Sequence, residues 1–238
     1  MGNAVPRTDF YPPDRKELGL GICYVVAQNG GCLSFLRTCE ILKDVLHIPR
    51  SSGNKRSPSS ASHTEWSYAV SWTCTQMRRL GFMDHNSHSN RSMCVLTKHG
   101  KELGEWAARI FAGDDAQLPD WVAAFLQPLF KRMQSLLAGG KKRKPPDYEL
   151  CRWVHYCYLC NKPTIGVALF DLVLADSVDA RFFALVERQA RIMRIGLEEE
   201  AGQRNVTGSR VTPRRKRAKQ RQTRSAMVKQ LSLFKDME

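Results

Sequence analysis

No stretch of this chain strings together the roughly 18 apolar residues that would span a bilayer. The opening "MGNAVPRTDFYPP" holds neither an apolar core nor a small-residue cleavage site. These absences argue against a membrane partner and against export, so the expected location is the cytoplasm. There is no Walker loop, no G-x-G-x-x-G, no G-x-S-x-G and no H-E-x-x-H, which removes the usual signatures of nucleotide binding, serine hydrolysis and zinc proteolysis. The acid-x-Lys pair on a strand that a restriction-like nuclease needs around magnesium is also missing. Asp147 and Glu149 in "PDYELC" come closest. C-x-x-C occurs once, from Cys157 to Cys160, where a structural zinc wants two such pairs. Cys151 and His155 lie near it in a segment of helical apolar spacing, so the eight cysteines read as buried, reduced thiols. No metal ligand and no cofactor is expected, and the expected role is non-enzymatic, with a diverged nuclease as the alternative.

What the chain does have is apolar content and positive charge. With 42% hydrophobic residues, five Trp and ten Phe in 238 residues, one medium domain or two small ones can form a real core. The net charge of +14 is uneven: residues 201–238 hold eleven Lys+Arg against two Asp+Glu. "RNVTGSRVTPRRKRAKQRQTR" contains no acid and is too polar to bury itself. It is expected to be disordered and to neutralise phosphates through residues such as Arg214, Arg215, Lys216 and Arg217, with a bland solvated tail as the competing reading.

Upstream, "RKELGLGICYVVAQ" places Leu18, Ile22, Val25 and Val26 at helical spacing, and the glycines of "QNGG" end that helix. Ser34 can cap a second helix, "FLRTCEILKDVLHI", with Phe35, Leu36, Cys39, Leu42, Val45 and Leu46 as its apolar row, stopped by Pro49. A Ser/Pro/Gly-rich loop carries Arg50, Lys55 and Arg56. Thr64 and Glu65 then open a third helix with Trp66, Val70, Met77 and Leu80 facing the core, ended by Gly81. "FMDH" and "SMCVLT", separated by the turn residues "NSHSN", read as a β-hairpin, and "KHGKELGEWAARIF" as a closing helix. This order is that of a winged helix-turn-helix, whose third helix enters the DNA major groove. Ser67, Ser71, Thr75 and Arg78 then lie opposite the core row, with Arg79 beside them, and either read base edges or form an ordinary solvated face. His85, His88 and Arg91 in the wing either touch the minor groove or backbone, with Lys98 and Lys101 behind, or are turn residues without a partner. Beyond "AGDDAQLPD" the apolar spacing stays helical through "WVAAFLQPLFKRMQSLLAGG", "DYELCRWVHYCYLC", "IGVALFDLVLA" and "DARFFALVERQARIMRIGLEEE". Those rows are dense enough to pack on one another or on the first block.

Val70-Ser71-Trp72, then Met77-Arg78-Arg79-Leu80-Gly81-Phe82 and Val95-Leu96-Thr97-Lys98-His99-Gly100, make the chain similar, over about residues 18–106, to the N-terminal winged helix of Mrr-type restriction proteins. That resemblance implies double-stranded DNA as a partner and brings no catalytic residue. Near the end, Gln230-Leu231-Ser232-Leu233-Phe234 resembles, at all five positions, the pentapeptide by which bacterial replication and repair proteins bind the polymerase sliding clamp. Leu233 and Phe234 would fill an apolar pocket while Gln230 bonds at a second subsite. The alternative is a short terminal helix docked on the protein's own core.

Together these features give a mainly α protein: a winged helix with a small β-hairpin wing over 14–112, an all-helical block over 118–200, and a basic tail over 201–238 carrying the clamp-binding peptide. The expected role is a non-enzymatic DNA-binding factor of replication, repair or plasmid or phage maintenance. The alternatives are a restriction-associated nuclease or its DNA-recognition subunit, and a transcription regulator. The oligomeric state is left open.

Overall fold

The computed structural model describes residues 13–58, 62–85, 93–139, 144–174 and 178–208, with side chains as far as 203. Among these residues the protein is mainly helical, with one small antiparallel sheet of two strands. It divides into two compact units, residues 1–196 and 197–238. In the second, the described part is the end of one helix.

Local chemistry sets the helix ends in the first unit. Helix α1 (Arg15–Gln28) starts where the Asp14 carboxylate accepts from the Lys16 N–H at 2.8 Å. Strand β1 (Cys32–Ser34) follows, and the Ser34 hydroxyl caps α2 (Phe35–Val45) by accepting from Arg37 N–H. Thr64 caps α3 (Glu65–Arg79) by accepting from Ser67 N–H. Gly81 then turns the chain in the left-handed region at φ +78, where a side chain would be strained. Strand β2 (Met93–Val95) leads to α4 (Lys98–Phe111), capped by Thr97, and α5 (Asp120–Leu137), α6 (Asp147–Leu159), α7 (Pro163–Phe170) and α8 (Ala180–Gly208) complete the order.

Helix α1 is the hub, packing against α2, α3, α4 and α5. Its approach to α4 is close because both helices carry small residues there: a Cβ added at Gly104 would lie 2.6 Å from both the Ala27 Cβ and the Cys23 carbonyl oxygen. Trp66 anchors α3 by burying its ring and donating Nε1–H to the Cys39 carbonyl of α2 at 2.9 Å. The core continues through Leu126, Leu129 and Met133 of α5 to Leu150, Trp153 and Val154 of α6. The expected blocks 14–112 and 118–200 therefore share one core up to Gly196, the end of the first unit.

Several expectations need correcting. The ladder partner of β2 is β1, in the register Cys32↔Val95, Leu33↔Cys94 and Ser34↔Met93. Sequence reading left that segment as the connection between two helices, because three residues are too few to display an alternation. The expected hairpin is reduced, among the described residues, to a bridge between Met83 and Leu96 flanked by Asp84 N–H to Val95 O and Thr97 N–H to Phe82 O; its turn, with His88 and Arg91, lies outside them. Leu36 is 74% exposed, since it stands about 120° around the helix from Leu42 at 3.6 residues per turn. Leu80 is also exposed, at the α3 C-cap where the chain swings away. Helix α7 stops at Phe170, short of "DLVLA", and α8 runs on through residues 201–208, which composition assigned to the tail.

One polar cluster joins the blocks inside the core. Arg152 of α6 donates Nε–H to Glu17 of α1 at 2.5 Å and Nη1–H to the Leu46 carbonyl at 3.0 Å, with both side chains at most 4% exposed. Tyr156 adds its hydroxyl to Glu17 at 3.3 Å. Burial alone would lower the pKa of Arg152, and the acidic groups beside it, Glu17 foremost, reverse this and raise it.

Candidate nucleic-acid interface

The loop carrying Arg50, Lys55 and Arg56 is held against the start of α3 by backbone bonds. Glu65 N–H donates to Lys55 O at 2.9 Å, Trp66 N–H to Gly53 O at 3.0 Å and Ser57 N–H to His63 O at 2.8 Å, while Arg56 bridges Thr64. From beneath, Lys43 directs its ammonium to Arg50 O (2.7 Å), Ser52 O (2.8 Å) and Asn54 Oδ1 (2.9 Å), which uses all three of its donors. Desolvation pulls its pKa below the ordinary value. Sequence reading missed Lys43, because nothing in a one-dimensional pattern says that a lysine nine residues away from a carbonyl will point inward. The structure thus brings all three loop cations to one end of α3, with Arg50 exposed and only loosely paired to Asp44 at 3.5 Å.

Along α3, the expected readout residues differ in what they can offer. The Ser67 hydroxyl belongs to the cap, 3.0 Å from Thr64 Oγ1 and 3.2 Å from Thr64 O. Thr75 donates its hydroxyl proton to the Ser71 carbonyl at 3.1 Å, so outwardly it can only accept. Ser71 is half-buried, and Arg79 is exposed at the end of the helix. Arg78 is half-buried near the thiols of Cys74 and Cys94, whose sulfurs meet at 4.0 Å. The Cys74 hydrogen bond, with lesser help from the Arg78 charge, keeps the Cys94 thiol below its usual pKa. Trp72, exposed at 40%, was not singled out for binding by the sequence pattern. Lys101 lies across the face of Gly31, which has no side chain to obstruct it, and Lys98 is exposed. Arg214, Arg215, Lys216, Arg217 and the peptide Gln230–Phe234 lie outside the described residues.

A groove of about 830 Å³ between α2 and the 50–67 segment has a rim of mixed charge, with Arg37 and Glu40 paired at 2.9 Å and Arg50 loosely opposite Asp44. Among the described residues no group of three or more His, Cys, Asp or Glu side chains could hold a metal ion. His155 is occupied on both ring nitrogens, by Gln189 Oε1 and the Ile110 carbonyl, each at 3.0 Å. The Cys157 thiol points at Met133 Sδ, and all eight cysteines are free. Asp147 pairs with Lys144 at 3.0 Å, and Glu149 is sealed in the core, where burial first and Glu17 second push its carboxyl well above the ordinary value. A carboxylate so enclosed has no path to a phosphodiester. No helix among the described residues is long and apolar enough to cross a membrane.

No protein-family model, curated protein or solved structure matches this chain.

Proposed function

We propose that the protein is a non-enzymatic DNA-binding factor of replication, repair or mobile-element maintenance, tethered to the bacterial sliding clamp by Gln230–Phe234. The observation that carries the reading is the five-of-five agreement of that pentapeptide with the clamp-binding pattern, after an arginine-rich run without acids. The DNA half is supported by element order. Helix, strand, helix, helix, strand, helix, with the first strand paired to the one before the closing helix, is the order on which the winged-helix reading rests. Backbone bonds that hold a basic loop at the start of an outward-facing α3 suit contact with phosphates on either side of a groove.

Mechanistically, α3 would enter the major groove, where Ser71 and Arg79 face base edges or phosphates. Arg50, Lys55 and Arg56 would grip the adjoining backbone. The basic tail would neutralise phosphates over a longer reach. Each contact is weak alone, and avidity makes the assembly tight because the clamp already encircles the same duplex. Fluorescence anisotropy with purified clamp tests the tether. Leu233→Ala with Phe234→Ala is expected to abolish clamp binding and leave the melting temperature unchanged. Retained affinity, or a melting temperature lowered by several degrees, would instead support a terminal helix docked on the core.

A further inference from the structure

One strip of the surface is aromatic where a solvated face should be polar. Trp72 on α3 and Trp121 on α5 are 40% and 41% exposed, and two sets of ring and cation contacts, one on Arg15 and one on Lys16, lie between them. The Arg15 guanidinium, at the first position of α1, stands 5.7 Å over the Trp72 ring. Its neighbour Lys16 places its ammonium 4.4 Å over the ring of Phe125, which is itself buried and supports the exposed rings from beneath. Phe125 meets Phe82 edge-on at 5.5 Å, and Phe82 lies nearly parallel to Trp121 at 6.5 Å and 24°.

We propose that this strip is a stacking platform for the unpaired bases of single-stranded DNA lying beside the duplex that α3 contacts; the inference rests on the DNA-binding reading above. Aromatic faces stack on any base, because every base presents a π surface, and cations placed between them receive the phosphates of the same strand. The strip supplies both: exposed rings at Trp72 and Trp121, and cations at Arg15, which is exposed, and Lys16, which is half-buried. The carboxylate beside them, Asp14, is shared with Arg132 at 3.1 Å and with the helix cap, so it offsets the Lys16 charge only in part. The position also fits: Trp72 lies on α3 itself, so a strand leaving the duplex would reach the platform without a gap.

The test uses the full chain with three fluorescein-labelled probes: a 20-base-pair duplex, the same duplex with a ten-nucleotide oligo(dT) overhang, and oligo(dT) alone. The overhang is expected to tighten binding at least tenfold. Trp121→Ala should remove about tenfold of that gain while leaving duplex affinity unchanged, and Trp72→Ala should remove a similar share. Trp121→Phe should keep most of it. Arg15→Glu leaves every ring in place and should also reduce the gain, which guards against a Trp variant that fails to fold. An overhang with no effect on the wild-type protein, or a gain untouched in all three loss variants, overturns the platform while leaving duplex binding standing. Failure to bind any of the three probes would sink the DNA-binding reading with it.

Discussion

Helices α3 and α6 are similar in length and both mix polar with apolar residues, yet they spend their polar groups in opposite ways. On α3, Arg79 is exposed and Ser71 half-buried, and the buried row is Trp66, Val70, Cys74 and Met77, with Thr73 as the one buried polar side chain, its hydroxyl donated to the Ala69 carbonyl. On α6, Glu149, Arg152 and His155 are all inside, along with Trp153 and Tyr156. The charges of α6 serve architecture: Arg152 reaches Glu17 and the Leu46 carbonyl, and His155 reaches Ile110, so one helix clamps elements from across the first unit. Buried charge must be paired to be tolerated, whereas exposed charge remains available to a ligand. Polar residues of α6 should therefore govern stability, and those of α3 should govern binding.

The sharpest break of that contrast is Arg152→Ala. It leaves the Glu17 carboxylate buried without its cation and is expected to cost about 3–5 kcal/mol. Thermal melting would show a fall on the order of 10 °C for a chain of this size. A loss under about 1 kcal/mol would mean that water reaches the pair and that the cluster is not a clamp.

On the other helix, Arg79→Ala is expected to weaken duplex DNA by about 1–3 kcal/mol without moving the melting temperature, because the side chain is exposed. Arg78→Ala should weaken binding less but also lower the melting temperature, since Arg78 is half-buried and its charge acts on the Cys74 and Cys94 thiols. Anisotropy on one duplex, paired with a melt of each variant, separates the two arginines. Equal behaviour would erase the distinction between them.

The smallest effect concerns pH and Glu149. Its carboxyl is raised above the ordinary 4.5, chiefly by burial, so the folded state binds its proton more tightly than the unfolded chain does. That contribution to stability is fully present below about pH 4.5 and is lost as pH rises through the folded value. Glu149→Gln keeps the neutral shape without the proton, so its melting temperature should exceed that of the wild type by a few degrees at pH 8 and converge with it near pH 4. A variant less stable than the wild type at pH 8 would show that the carboxylate is paired after all.

Helix positions were largely legible in the sequence because the signals are local. Ser34 and Thr64, read as helix starts, each bond an N–H three residues ahead, and Gly81 turns where other residues strain, whereas the caps at Asp14 and Thr97 were not read. Apolar spacing likewise told the core row of α3 from its outer face, apart from Leu80 at the cap. Charge asymmetry and the terminal pentapeptide are also properties of sequence alone. The tertiary structure decided what depends on residues far apart in the chain. The pairing of β1 with β2 joins segments some sixty residues apart and could not be read from three residues of β1. Glu17 meets Arg152 across 135 residues, and no periodicity announces that an acid on α1 will be buried against an arginine on α6. The aromatic strip from Trp72 to Trp121 exists only because α1, α3 and α5 converge there, placing cations from one helix over rings from two others.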